Sequence, residues 1–525
     1  MSEMHTRRAV LGAGAALAGA AGLASQAVAS HAHAAPRRRT SAPSSVRAAD
    51  EYVAPDGPEV VDAEARRGAG PVRKVPLTAT ASRLELGGGL TVPTWAYGDR
   101  LPGEAIRVTA GDTLELALAN HLPQATTMHW HGLALRNDMD GVPALTQQAV
   151  KAGADFTYRF TVSRPGTYWI HPHSGVQLDR GLYAPLIVED PKEPLAYDKE
   201  WVVVLDDWLD GVDGSTPDAV LDELTGGRGS AHDAAGHKAA RRAADGDAPS
   251  RLLAGASSDL LGGHAGDVAY PHYLVNGRRA SDPSVFEAAP GDRIRLRVVN
   301  AGGDTAFRLA LGGHRMTVTH TDGFPVRHTG TDTLLLAMGE RYDVLVTAGD
   351  GVFPLTALAE GKEASALAVL KTGSGEIPPA TVRPSELDGE LVTADRLAPD
   401  ESVALTERAP DRTVRMTLTG SMDAYDWAFD GKPYDPAARH PVKAGERVRL
   451  VFTNRTSMWH PIHLHGHTFA MAGTAPGARK DTAAVLPGRS LTVDFDADNP
   501  GLWMLHCHNV YHAEAGMMTV LGYLR

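Results

Sequence analysis

The chain has 525 residues, 43% of them hydrophobic and 22% charged, with a formal net charge of −12. That length exceeds one ordinary core and the balance is that of a soluble globular protein, so several domains are expected. The negative charge, with no long basic run after the N-terminus, argues against nucleic acid as a partner. The single cysteine excludes an intramolecular disulfide.

The N-terminus reads as an address. Arg7-Arg8 opens a small-residue, mildly apolar run that ends in Ala32-His33-Ala34, with Ala27-Val28-Ala29 as a second cleavage candidate. Residues 1–34 are therefore expected to be a twin-arginine export signal, and the mature protein periplasmic, extracellular or cell-wall associated. No later stretch is apolar enough for a membrane span. Residues 35–75, rich in Arg, Ser, Pro and Ala, are expected to form a loose linker.

One unit then recurs three times. "AGDTLELALAN" ends at Asn120, "PGDRIRLRVVN" at Asn300 and "AGERVRLVFTN" at Asn454. Each has a Gly-Asp or Gly-Glu turn, then period-two apolar residues, then Asn. The sets Leu114/Leu116/Leu118, Ile294/Leu296/Val298 and Val448/Leu450/Phe452 predict half-buried strands. The long spacing suits whole domains, and frequent Gly and Pro with few helical patterns point to all-β sandwiches. The expected domains are 76–192, 193–372 and 406–525, with a Pro/Glu-rich linker at 373–405. Residues 225–267 lack period-two character and are expected to be a surface insertion in domain two, part helix and part disordered. Its His232, His237 and His264 read as solvated surface histidines.

Domains one and three share more. Domain one carries His129-Trp130-His131-Gly132, and domain three carries His463-Leu464-His465-Gly466. Further on, "PGTYWIHPHSGVQLDRGL" aligns without gaps with "PGLWMLHCHNVYHAEAGM". This sets His171 on His506 and His173 on His508. On a strand, residues i and i+2 share a face, so each His-x-His presents two imidazoles side by side. Imidazole suits copper, zinc, iron and nickel. Eight such rings from two domains can enclose several ions at their interface.

Cys507 must then point away from His506 and His508, into domain three. His460, His512 and Met517 lie near it in sequence, and two His, one Cys and a weak axial Met form the blue-copper electron-transfer set. The repeat holds its own control. Domain one has Thr126, Pro172, Gln177 and Leu182 at the matching positions, yet keeps all four paired histidines. Domain two has no His-x-His and reads as spacing and support.

"HWHG", "HPHSG", "HPIHLHGH" and "HCHNVYHAEAGMM" together resemble the four copper-binding segments of the multicopper oxidases of laccase type, and the likeness covers nearly everything after the signal. The resemblance implies three cupredoxin-like Greek-key β-sandwich domains and four copper ions. His460, Cys507, His512 and Met517 would hold the type 1 ion. His129 and His463 would hold the type 2 ion, and His131, His171, His173, His465, His506 and His508 the type 3 pair. It implies that dioxygen is reduced to water by electrons from a small aromatic reductant or Cu(I), entering at His460, which lies near the surface in laccases. Asp140 matches an acid that supplies protons in the family, with Asp138 the near alternative. Glu514 is a second candidate, displaced by one residue from its place in many bacterial members, where this chain has Ala513. Met517 implies a modest potential. Met518 reads as core and His467 as structural. Met458 is the single soft group near His460.

Overall fold

The structure is a computed structural model that describes residues 51–226, 248–472 and 477–525. The three sequence repeats form the strands Thr113–His121, Arg293–Asn300 and Arg447–Asn454. Their alternating apolar residues all point inward and are at most 1% exposed. Each repeat strand pairs in parallel with its domain's first long strand: Val72–Glu85, Lys199–Trp208 and Arg412–Thr419. On its other side each pairs antiparallel, with Asp155–Thr161, Arg341–Thr347 and Ser490–Asp496. The turn before each repeat strand places Gly111, Gly291 and Gly445 at φ of 97°, 88° and 85°, a conformation that favours glycine.

A second sheet closes each sandwich, as two facing apolar sheet surfaces require. In domain one it contains His129–His131 and Gly166–His171, and in domain three His460–Leu464 and Leu502–Cys507. The register sets His129 opposite His171 and His463 opposite His506. Each outer domain therefore joins its two His-x-His segments as neighbouring strands.

The Asn that ends each repeat performs one task three times. Asn120, Asn300 and Asn454 each donate through Nδ2 to two backbone carbonyls at 2.7–3.1 Å. Each accepts through Oδ1 from the amide two residues on. This local bonding turns the chain out of the sheet. In domain three it fixes the carbonyl of Met458, just before His460.

Three expectations are corrected. Residues 51–75 are not a loose linker. A helix spans Pro58–Arg67 and buries Val60 and Ala63, while Val53 N donates to Tyr523 O at 2.8 Å. An apolar i, i+3 pair among many charged residues was enough to dock it. The insertion is likewise ordered over 248–267, where Ser257–Ser258 pairs with Gly263–His264 and Leu261, Ala265 and Asp267 are buried. His264 is exposed; His232 and His237 lie outside the described residues. The 373–405 segment adds Leu391–Val392 to the edge of a domain-two sheet and buries Leu387, Val392 and Leu397. No helix among the described residues is long and apolar enough to cross a membrane.

Candidate metal centre

Cys507 ends the fully buried strand Leu502–Cys507. The next residues turn into the helix Val510–Ala515, capped by Asn509, whose Oδ1 accepts from the amides of Tyr511 and His512. This cap brings His512 back toward the thiol. Cys507 Sγ lies 3.6 Å from Nδ1 of both His460 and His512, and these two nitrogens are 3.1 Å apart. A first-row ion with bonds of about 2.0–2.3 Å fits among three atoms so spaced. Met517 is buried and accepts from Cys507 N through its carbonyl.

Both imidazoles are oriented from behind. His460 Nε2 is 2.9 Å from Thr456 Oγ1, and His512 Nε2 donates to Asp267 Oδ2 at 2.8 Å. Tyr425 donates to the same oxygen at 2.8 Å. Trp427 packs on both rings, at centroid separations of 5.3 and 4.5 Å. The expected surface edge of His460 is absent: both His460 and His512 are 0% exposed. Thr456 and Trp427 pack against the one, and Asp267, Tyr425 and Trp427 against the other. Burial opposes a charge on His512, yet the Asp267 carboxylate raises its pKa to about 10. His460 has no such partner, and burial holds it well below the ordinary histidine value.

On the opposite face the eight paired histidines converge, all at least 92% buried. His131, His171 and His508 form one group of three, and His173, His465 and His506 another. His129 and His463 meet in a further group with His131. Their outward nitrogens are held by fixed acceptors. His129 Nδ1 donates to Asp140 O, His463 Nδ1 to Asp481 O, His171 Nδ1 to Pro172 O and His506 Nδ1 to Cys507 O, at 2.8–3.0 Å. The inward Nε2 atoms of His129, His173, His463, His465 and His506 are buried without any hydrogen-bond partner. Orphaned nitrogens are costly in a packed interior, and a bound cation is what this donor set accommodates. Burial, together with repulsion between neighbouring rings, keeps His131, His171, His173, His465, His506 and His508 well below the usual histidine range. They are neutral and ready to ligate.

Asp140 sits inside this shell. Its Oδ2 accepts from His465 Nδ1 at 2.9 Å, and its Oδ1 lies 3.2 Å from His129 Nδ1. Gly141 makes this approach possible, since a Cβ there would lie 1.9 Å from Met128 O. Asp138 instead pairs with Arg136 at the surface. Glu514 is buried on the helix that carries His512. His467 bonds His465 O and the Tyr523 hydroxyl, and Met518 packs with Val142, Leu502 and Met504, so both are structural.

Sequence reasoning missed Asp267 and Asp481. Asp481 lies 3.1 Å from His131 Nε2 through Oδ1, besides holding His463 by its carbonyl. The "KDT" stretch that contains it was the available signal. Nothing local marks Asp267, a lone carboxylate at the end of a Gly/Ala-rich run.

Sequence models of the multicopper oxidase family match residues 78–193, 252–374 and 407–523. The chain belongs to this family. It is a copper-dependent oxidoreductase that uses oxygen, built on the cupredoxin fold. It is 49% identical to multicopper oxidase MmcO of Mycobacterium tuberculosis over 85% of this chain and 86% of the relative. It is 29% identical to a copper resistance protein A homolog of Pseudomonas syringae pv. tomato, over 79% and 87%. Among solved structures, the laccase from Botrytis aclada superposes with a TM-score of 0.69 at 24% identity, over 86% and 88%.

Proposed function

We propose that this oxidase couples four one-electron oxidations of a phenolic or aromatic amine reductant to reduction of dioxygen to two waters. The observation that carries the reading is the strand ending at Cys507. Its sulfur meets His460 and His512 on one face, while its neighbours His506 and His508 join the histidine cluster on the other. In this reading His460, Cys507 and His512, with Met517, hold the type 1 copper. His129 and His463 hold the type 2 ion, and the two groups of three histidines hold the type 3 pair. When bound, the four coppers supply one-electron acceptance at the thiolate and oxygen reduction at the cluster. The protein's own part is to connect, orient and protonate. Cys507 is bonded covalently to both His506 and His508, and its carbonyl also accepts from His506 Nδ1. Asp140, buried against His129 and His465, is the proton-carrying group at the cluster.

An aromatic reductant is favoured by a cavity of about 280 Å³ between domains two and three. Leu260, Leu261, Ala484 and Leu486 give it a mainly apolar lining, to which Met471, Glu340 and Asp395 also contribute. Val485 pairs directly with His460 in the sheet. The size and apolar lining suit a small ring compound. Cu(I) is the second reading, favoured by relatives named for copper resistance. Steady-state kinetics with a methoxyphenol and with Cu(I), under oxygen, test the choice. A higher kcat/KM for Cu(I) overturns the first reading.

Export by the twin-arginine route completes the proposal, resting on Arg7-Arg8 and the Ala-x-Ala sites. Replacing both arginines with lysine should leave the protein in the cytoplasm, and unchanged export would contradict it.

A further inference from the structure

Domain two contributes none of the paired histidines, yet it reaches the cluster. Its loop passes so close that a Cβ at Gly339 would lie 2.9 Å from both His131 Cε1 and His508 Cδ2. Two residues on, the fully buried Arg341 makes a bidentate pair with Asp481 of domain three, Nη1 to Oδ1 and Nη2 to Oδ2, both at 2.7 Å. The arginine is itself fixed: Nε donates to Thr167 O at 3.1 Å, Nη1 to Gly339 O at 3.2 Å, and its amide to Asp322 Oδ1 at 2.9 Å. Gly132, which follows the first His-x-His, leaves room for the pair; a Cβ there would meet Arg341 Nη2 at 2.3 Å and Asp481 Oδ2 at 2.7 Å.

The oxygen that Arg341 holds is the one that faces a histidine. Asp481 Oδ1 accepts from His131 Nε2 at 3.1 Å, and Thr482 Oγ1 lies 3.1 Å from that same nitrogen and from His463 Nδ1. With Nε2 protonated and engaged, Nδ1 of His131 is the atom left to face His171 Nε2 and His508 Nε2, at 3.4 and 3.2 Å. A planar guanidinium with two parallel bonds fixes a carboxylate in both position and rotation, which a lysine ammonium does not.

We propose that Arg341 is a positioning residue for the histidine cluster, acting through Asp481 to set which nitrogen of His131 faces the metal. The inference rests on the reading that the cluster holds copper. It gives domain two a role beyond support: its side chain governs how firmly the shared site retains its ions.

A neighbouring buried lysine, joined to Arg341 and to the Asp481 amide through Asp322, supplies a control for loss of charge at the same interface. Lys480 Nζ bonds Thr321 Oγ1 at 2.8 Å and pairs with Asp322 and Glu340, each at 3.1 Å. It touches no paired histidine.

The test compares copper-loaded wild type, Arg341→Lys and Lys480→Met by copper retained against a chelator and by electron paramagnetic resonance, with the blue absorption at Cys507 as proof of folding. Arg341→Lys should keep the blue absorption, change the type 2 signal, because Asp481 also holds His463 through its carbonyl, and lose cluster copper roughly 10–100-fold more readily, as outer partners of ligands do when altered. Lys480→Met should lower Tm and leave the type 2 signal as in wild type. The proposal is overturned if Arg341→Lys leaves retention and signal unchanged, or if Lys480→Met alters them equally. If Arg341→Lys does not fold, Asp481→Asn keeps an acceptor for His131 without the ion pair and must give the same altered signal. Wild type with no copper in the cluster would sink the functional reading itself, a result distinguishable from all of these.

Discussion

Asp267 accepts from His512 Nε2 at 2.8 Å across 245 residues of sequence. An ionised partner makes the imidazole a stronger donor to whatever its Nδ1 ligates. Asp267→Asn retains an acceptor but removes the charge, worth about 1 kcal/mol in a hydrogen bond. The type 1 potential should rise by on the order of 50 mV, read by redox titration of the blue absorption. A fall in potential would contradict the assignment.

Cys507→Ser removes the thiolate and leaves the eight paired histidines in place. The blue absorption should vanish, copper per chain should drop by a single ion, and turnover should be abolished. Retained turnover would show that electrons reach the cluster without the sulfur.

Asp140→Asn keeps the size and hydrogen-bonding reach of the side chain while removing a transferable proton. Reoxidation of the reduced enzyme by oxygen should slow by roughly 10²–10⁴-fold, with copper content and blue absorption unchanged. Stopped-flow mixing with oxygenated buffer measures this. Asp138→Asn, in the surface pair with Arg136, should have no effect on that rate.

Filling the cavity beside Val485 separates the two candidate reductants. Ala484→Phe should raise KM for a phenol by about tenfold and leave Cu(I) oxidation as it was. Equal losses with both reductants would mean that the cavity is not the aromatic site.

The metal-free protein should lose stability in acid. Burial depresses His131, His171, His173, His460, His465, His506 and His508. The unfolded chain takes up these protons near pH 6.5 and the folded one does not. Their neutral state therefore favours folding fully above about pH 6.5 and progressively less below it. His512 acts in the opposite sense: raised to about 10, its contribution is complete below about pH 6.5 and fades as pH climbs toward 10. Seven groups outweigh one, so Tm of the metal-free protein should fall between about pH 7 and 5. A flat profile by calorimetry would refute this.

What the sequence disclosed and what it hid follow from distance along the chain. The His-x-His pairs, Cys507 and the three repeat strands are local patterns with period two, and strand geometry converts each into a facing direction. Asp140 was legible only through the family resemblance, with Asp138 as the near alternative. Asp267 and Arg341 were not, because each is one charged residue whose partner lies in another domain, and no spacing encodes that meeting; for Asp481 the "KDT" stretch marked the segment but not the role. The helix Pro58–Arg67 was hidden differently: its apolar face is only Val60 and Ala63, diluted by neighbouring charges. The surface edge expected of His460 is missing because Thr456 and Trp427 pack against its ring.

The repeat also shows what the same frame holds without such a site. In domain one, Thr126 Oγ1 donates to Gln177 Oε1 at 2.7 Å, both side chains buried, at the places that hold His460 and His512 in domain three. A neutral bridge stands in domain one where domain three sets two candidate copper ligands. Thr126, Pro172 and Gln177 thus mark where a second electron port could be built into the same sandwich.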